Sequence, residues 1–163
     1  MTLLGSGFRV DQVGIVVGDL DAAIARYAAT FACGPWEVWT YGPDVMAESS
    51  FRGAPGSFAM RLALAGSNPQ IELIEPLSGP SLYHEWLAER GEGLHHLGMR
   101  VGDLAAAVGE LERSGHRVLQ SGRGYGQDGD GGFAYLDTTA ELGVVLELIE
   151  APAARRPPEA TVA

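Results

Sequence analysis

The first half of the chain places one helical stretch among four strand-like runs. Residues 8–17 are rich in β-branched and apolar side chains and end at Gly18, which is typical of a strand. Asp19 follows as a candidate N-cap, and the apolar positions of residues 20–31 recur at helical spacing. Three more strand-like runs, separated by Gly, Pro, Asn and Ser, lie near 36–41, 57–65 and 70–75. Residues 8–76 are therefore predicted to form a βαβββ module.

The second half repeats the first. VDQVGIVVGDLDAA at residues 10–23 aligns with LHHLGMRVGDLAAA at residues 94–107, and IELIE at 71–75 aligns with LELIE at 146–150. The repeat predicts a second βαβββ module over residues 94–150. Its helix is expected at 103–114 and its strands near 94–101, 116–120, 132–137 and 143–150. No further helix is expected between the second and fourth strands of either module.

These patterns predict an α+β fold with two tandem βαβββ modules that form a cupped mixed sheet around a central site. Residues 1–150 are interpreted as one domain, in which a short helix at about 80–91 connects the modules. The tail, residues 151–163, is rich in Pro and Ala without periodicity and is predicted to be flexible. The glycine-rich run 122–132 lacks the GK[ST] signature of a phosphate loop and is interpreted as a mobile loop over the site.

Charge and hydropathy narrow the class of partner. The chain has 11 basic and 21 acidic residues and a formal net charge of −10, which disfavours nucleic acid and anionic lipid. No apolar run approaches the roughly 18 residues of a spanning helix, and the start does not resemble a signal peptide. We therefore expect a cytoplasmic protein whose partner is a small molecule.

Alternation along the strands assigns side chains to opposite faces of the sheet. Gln12 is expected on the concave face, away from the helices, and His96 occupies the equivalent position of the second module. Glu72 and Glu147 form a second equivalent pair, and Arg100 follows on the same face. His95 is expected to face the other side.

A pseudo-twofold axis relating the modules would bring one imidazole and three oxygen-bearing side chains together, namely Gln12, Glu72, His96 and Glu147. Two carboxylates in apolar strands are costly to bury unless a positive charge compensates them. The spacing therefore predicts a divalent metal site.

The motifs VDQVGIVVGDLDAAI, QIELIEPL, GEGLHHLGMRVGDLAAAV and GVVLELIE resemble the vicinal-oxygen-chelate superfamily over about residues 8–150. This superfamily includes glyoxalase I, methylmalonyl-CoA epimerase, extradiol dioxygenases and bleomycin-resistance proteins. The resemblance implies that Gln12, Glu72, His96 and Glu147 bind a metal such as Zn, Ni, Co or Mn. It also implies a homodimer. Extradiol dioxygenases need two His and one carboxylate, whereas this site offers one His.

Two departures distinguish the chain from individual subfamilies. The segment from Ile71 to Met99 is similar to methylmalonyl-CoA epimerase, but that family usually has His where Gln12 stands. The epimerases carry a catalytic acid on the third strand, where this chain has Gly56 or Ser57 instead. Glu48 lies upstream of this position. The set of Gln, Glu, His and Glu instead resembles zinc-type glyoxalase I, although no glutathione-binding environment is recognisable.

Glyoxalase I and the epimerase share proton abstraction next to a carbonyl. The resemblance thus implies a metal-dependent lyase or isomerase, in which a carboxylate moves the proton. Glu147 is the first choice as base and Glu72 is its partner, while Arg100 would hold an anionic group of the substrate. The alternative is a metal-free protein that sequesters a small molecule between the modules, as bleomycin-resistance proteins do.

Overall fold

The computed structural model describes residues 9–163, so the predicted start of the first strand at residue 8 lies outside the described residues. The elements in chain order are β1 (Gln12–Val16), α1 (Leu20–Phe31), β2 (Trp36–Tyr41), β3 (Glu48–Phe51), β4 (Ala54–Pro55), β5 (Ala59–Ala65), β6 (Gln70–Ser78), α2 (Leu82–Arg90), β7 (Gly93–Arg100), α3 (Leu104–Arg113), β8 (Val118–Arg123), β9 (Gly132–Leu136), α4 (Thr139–Leu142), β10 (Val145–Glu150) and β11 (Ala160–Val162). No helix in this part of the chain is long and apolar enough to cross a membrane.

All the strands belong to one mixed sheet with the order β11-β2-β5-β6-β1-β7-β10-β9-β8-β3-β4. The modules join where β1 pairs antiparallel with β7. On either side of this seam β6 runs parallel to β1, and β10 runs parallel to β7. The predicted α+β fold with a cupped mixed sheet is confirmed.

The repeated Gly-Asp-Leu sequence starts the helix of each module. The carboxylate of Asp19 accepts a hydrogen bond from the Ala22 amide, and that of Asp103 accepts one from the Ala106 amide. Both caps have extended backbone, with φ of −146° and −145°. The repeat in sequence is therefore a repeat in local structure.

Three apolar clusters show which face each strand residue occupies. Leu73 packs with the residues of α1, and Leu148 packs with those of α3, so both lie on the helical side of the sheet. A third, largely aromatic cluster fills the concave side and includes Trp39, Tyr125 and Tyr135. The alternation expected from the sequence thus separates a helical layer from a concave face.

Glycines at the seam make room for site side chains. Gly14 pairs with His96, and Gly98 pairs with Gln12, so each module places a glycine opposite a polar residue of the other. A Cβ at Gly14 would lie 1.8 Å from His96 Cε1, and one at Gly98 would lie 3.0 Å from the Gln12 Cβ. The glycine of the repeated motif is thus required by the close approach of the partner side chain.

Two local elements were not predicted. A hairpin of β3 and β4 leaves the first module and pairs with β8 of the second, extending the sheet at its far edge. The short helix α4 lies between β9 and β10, so the expectation of no helix there was wrong. It forms where Thr138 and Gly143 turn the chain between two buried strands.

The prediction of a flexible tail was also wrong, because residues 160–162 form β11 against β2. The Glu159 amide donates to the Val38 carbonyl, and the Glu159 carboxylate accepts from the amide and hydroxyl of Thr40. Backbone pairing to an otherwise unpaired strand edge holds this Pro-rich and Ala-rich segment without any apolar periodicity.

We expect Gly14→Ala to destabilise the protein by about 1–3 kcal/mol, because the new methyl group would overlap the buried His96 ring. Gly102→Ala is the matched control, since a Cβ there meets no atom within 4 Å. Chemical denaturation of both variants checks the prediction. Equal stabilities would show that the seam tolerates a side chain at Gly14.

Candidate metal centre

Four polar side chains from four strands converge on the concave face across the seam. His96 Nε2 lies 3.0 Å from Glu147 Oε2 and 3.2 Å from Glu72 Oε2. The Gln12 carboxamide faces the same two carboxylate oxygens, at 3.2 Å from Glu72 Oε2 and 3.0 Å from Glu147 Oε2. The structure thus brings together the four residues that the sequence nominated.

These groups are almost completely withdrawn from water. His96 is 0% exposed, Glu147 is 4% exposed, and Glu72 and Gln12 are each 7% exposed. Among the described residues, Glu72 and Glu147 are the only buried carboxylates. Their mutual proximity in an apolar, aromatic cluster is unfavourable unless positive charge lies between them.

The hydrogen-bonding geometry suits a cation at the centre of the cluster. His96 Nε2 is buried and makes no hydrogen bond of acceptable angle, although both carboxylates are within 3.2 Å. The Gln12 carboxamide can present either its oxygen or its NH₂ group to these carboxylates. The two carboxylates and the His96 ring thus converge on one point, where a bound cation would be stabilised.

The donor set fits a divalent ion. Glu72, His96 and Glu147 each offer a ligand atom, and these atoms all lie within 4.8 Å of one another. One imidazole nitrogen and carboxylate oxygens suit Zn²⁺ and other first-row divalent ions. Two carboxylates would balance the charge of the cation, and Gln12 would add a neutral oxygen.

His95 lies beside the site, contrary to the prediction that it faces the other side. In the β1–β7 pairing His96 lies opposite Gly14 and Leu94 opposite Ile15, which leaves His95 as the extra residue of a β-bulge. The bulge breaks the alternation, and His95 Nδ1 lies 3.0 Å from His96 Nδ1.

The two histidines have opposite titration behaviour. Burial and the neighbouring His96 lower the pKa of His95 to about 2, so this ring is neutral. Burial would also lower the pKa of His96, but Glu147 and Glu72 outweigh it and raise this pKa to about 9. Neutral His95 therefore accepts a hydrogen bond from the Nδ1–H of His96, which directs His96 Nε2 at the carboxylates.

Burial and His96 have opposing effects on the pKa of Glu147. Burial raises its pKa, although the adjacent His96 opposes the rise. The ring of Tyr135 packs against both His95 and His96, with centroid distances of 5.4 and 5.0 Å. The Tyr135 hydroxyl lies 3.0 Å from that of Tyr83 on α2. Aromatic groups thus enclose the two carboxylates and exclude water.

The remaining nominated residues lie away from this cluster. Arg100 is exposed, and its backbone amide donates to Asp11 Oδ2, so its role as a substrate anchor stays a prediction. Ser57 is exposed and carries no acid, and Glu48 is exposed on β3 opposite Arg123. In their place, β5 and the residue before it present Phe58, Met60 and Leu62 to the concave cluster.

Comparison with known proteins assigns the family. Residues 11–135 match the model of the Glyoxalase/Bleomycin resistance protein/Dioxygenase superfamily. The match spans most of the chain, including His95 and three of the four converging residues, namely Gln12, Glu72 and His96. The chain therefore belongs to this superfamily, as its motifs predict.

Relatives within the superfamily are epimerases. An ethylmalonyl-CoA/methylmalonyl-CoA epimerase from Cereibacter sphaeroides is 32% identical over 115 residues, which cover 70% of this chain and 76% of that protein. The methylmalonyl-CoA epimerase of Mycobacterium tuberculosis superposes with a TM-score of 0.65 and 28% identity, covering 94% and 96% of the two chains. A variant of the Streptomyces coelicolor methylmalonyl-CoA epimerase in complex with 2-nitronate-propionyl-CoA superposes with a TM-score of 0.67 and 26% identity. The superposition covers 93% of this chain and 100% of that chain.

We expect His95→Phe to weaken metal binding by about 10–100-fold, because His96 then loses the acceptor that orients its ring. His95→Gln keeps an acceptor and should restore much of the affinity. Competition with a coloured chelator measures both, and His116→Gln serves as a control at an imidazole paired with Glu141. Equal affinity in His95→Phe and wild type would contradict the positioning role.

The raised pKa of His96 predicts a pH dependence of the metal-free protein. The protonated ring stabilises the fold fully below its unfolded pKa of about 6.5, and this stabilisation is lost as pH rises through about 9. The Tm of chelator-treated protein should therefore fall between pH 6.5 and 9. The fall should be absent in His96→Gln and retained in His116→Gln. A wild-type Tm that does not fall in this range would show that His96 is not held protonated by the two carboxylates.

Proposed function

We propose that this protein is a metal-dependent isomerase of the epimerase type, which exchanges a proton on the carbon next to the carbonyl of a thioester. The observation that carries the proposal is the pair of buried carboxylates, Glu72 and Glu147, which both lie within 3.2 Å of His96 Nε2. The epimerase relatives support it independently.

Inversion of a stereocentre requires a proton to leave one face of the substrate and to return on the other. Glu72 and Glu147 come from equivalent strands of two modules, so they approach the site from opposite sides of the seam. Glu147 is the preferred base, because its raised pKa brings it nearer to neutral pH. Glu72 is placed to deliver the proton from the other side.

A divalent ion held by Gln12, Glu72, His96 and Glu147 would polarise the substrate carbonyl and lower the energy of the developing negative charge. The surrounding protein supplies the rest of the environment. Tyr135 and the other aromatic groups of the concave cluster exclude water, which strengthens electrostatic interactions with the reacting carbon.

Glu72 and Glu147 would transfer the proton without a third acidic residue. The positions near Gly56, Ser57 and Glu48 add no carboxylate to the buried cluster. In this respect the site is closer to the glyoxalase arrangement implied by the sequence, in which carboxylate ligands also move protons. A hemithioacetal, the substrate of a glyoxalase-type lyase reaction, is therefore the first alternative substrate to assay.

One observation favours the metal-free binding protein as a second candidate. Rotation of the Gln12 amide would let its NH₂ group donate to both Glu72 and Glu147, and a protonated His96 would balance part of their charge. The cluster would then be stabilised by its own hydrogen bonds and by the charge of His96, without a metal ion. Stoichiometric metal in the purified protein separates the two candidates.

The test of the enzyme is exchange in D₂O. Metal-loaded protein should racemise one enantiomer of a 2-methyl dicarboxylic acyl-CoA and introduce deuterium at C2. We expect Glu147→Gln to reduce this rate by about 10²–10⁴-fold, because proton transfer is lost. Gln12→Ala should reduce it much less, because it removes only a neutral oxygen.

Metal content is measured on the same samples. Loss of rate in Glu147→Gln with metal retained supports its assignment as base, whereas a nearly normal rate transfers that role to Glu72. A metal-loaded wild type that exchanges no proton on acyl-CoA or hemithioacetal substrates contradicts the proposed activity. If neither wild type nor variant binds metal, the binding protein becomes the better interpretation.

A further inference from the structure

Residues 151–163, which we call the C-terminal strap, cross the concave side of the sheet from one module to the other. At one end β11 pairs with β2 of the first module. At the other end the Gln127 amide donates to the Ala154 carbonyl, and the Ala153 amide donates to Asp130 Oδ2. The strap thus bridges β2 and the glycine-rich loop between β8 and β9.

The strap places the guanidinium of Arg155 on the aromatic part of the concave cluster. Its Nη1 donates to the Tyr41 hydroxyl at 2.9 Å, and its Cζ lies 5.1 Å from the Trp39 ring centroid and 5.6 Å from that of Tyr125. Tyr41 and Tyr125 stack on each other at 5.1 Å. Groups from both modules therefore hold this cation in place.

Arg155 and the two buried carboxylates influence the same tyrosine. Burial raises the pKa of Tyr125, Arg155 opposes the rise, and Glu147 and Glu72 add to it. The guanidinium and both carboxylates therefore act on the same hydroxyl.

Arg155 has no counter-ion among the described residues. Five arginines, at positions 9, 26, 52, 61 and 117, pair with carboxylates, whereas those at positions 90, 100, 113, 123, 155 and 156 form no ion pair in residues 9–163. A guanidinium has five N–H donors, and Tyr41 accepts only one hydrogen bond from that of Arg155. Arg155 is half-buried, so its guanidinium is partly withdrawn from water without an acidic partner.

Space for a ligand opens beside this group. A cavity of about 370 Å³ is lined by Trp39, Tyr41 and Gln127 and by the strap residues Arg156 and Glu159. Glu159, the acid in this lining, is engaged by the amide and hydroxyl of Thr40. The arginine in this lining is Arg156. Arg155 adjoins the cavity through Trp39 and Tyr41, which line it and also contact the Arg155 guanidinium.

We propose that Arg155 binds an anionic group of the substrate, a carboxylate or a phosphate, and that the C-terminal strap is a part of the substrate site. The proposal rests on the proposed thioester isomerase and assigns its anion-binding residue. It transfers to Arg155 the role that the sequence suggested for Arg100, which is exposed beside α3. A planar guanidinium would engage either anion through paired hydrogen bonds.

Steady-state kinetics with three thioesters distinguish the two anions. The first is a 2-methyl dicarboxylic acyl group on coenzyme A, the second is the same acyl group on N-acetylcysteamine, and the third is a 2-methyl monocarboxylic acyl-CoA. If Arg155 binds the acyl carboxylate, Arg155→Gln raises KM for the first two by about 10–100-fold. If it binds a phosphate, KM rises for the two coenzyme A esters alone. In either case Arg155→Lys should recover part of the loss.

Arg113→Gln is the matched control, because it removes one exposed positive charge from α3 on the other face of the sheet. Unchanged KM values in Arg155→Gln for all three substrates would overturn the proposal. So would a rise in KM that appears in Arg100→Gln instead.

A binding measurement keeps this test independent of the proposed activity. Malonate and inorganic phosphate are titrated into metal-free protein while tryptophan fluorescence is followed, since Trp39 lies against Arg155. We expect a saturable change with at least one anion that is lost in Arg155→Gln and in Trp39→Phe but kept in Arg113→Gln. Anion binding without turnover would contradict the isomerase and leave the Arg155 site standing. Turnover with a fluorescence response that Arg155→Gln does not alter would contradict the Arg155 site alone.

Discussion

The structure depends on the burial of two like charges at one point. Glu72 and Glu147 lie in apolar strands and meet beside a fully buried imidazole, where each carboxylate loses its hydration. Only a positive charge between them makes this arrangement stable, whether it is a bound metal ion or the proton on His96. The predicted metal binding, the raised pKa of His96 and the proposed chemistry all follow from this constraint.

The pseudo-twofold symmetry imposes this constraint on the sheet. Each module contributes one acid and one other polar residue, and each places a glycine opposite the polar residue of its partner. The site therefore lies on the seam, where neither module is complete without the other. The strands that carry the acids are parallel neighbours of the seam strands, so the register of the backbone alone fixes all four positions.

Alternation and the repeat were sufficient to predict Gln12, Glu72, His96 and Glu147, because these residues lie in regular strands. The same rule failed at His95, where a β-bulge places two consecutive side chains beside each other. It could not reveal the hairpin of β3 and β4 or the strap, whose partners are distant strand edges and whose sequences lack periodicity. Arg155 was missed for that reason, since its position depends on a backbone pairing that composition does not indicate.

The proposed proton transfer beside a carbonyl would depend on a metal ion held by the cluster of Gln12, Glu72, His96 and Glu147. Crystals grown with Co²⁺ or Zn²⁺ test that requirement most directly through anomalous scattering at the metal edge. The account predicts one strong peak within bonding distance of His96 Nε2, Glu72 and Glu147, with the oxygen of Gln12 turned toward it. The absence of a peak, with Gln12 donating to both carboxylates and no metal bound in solution, would contradict the account.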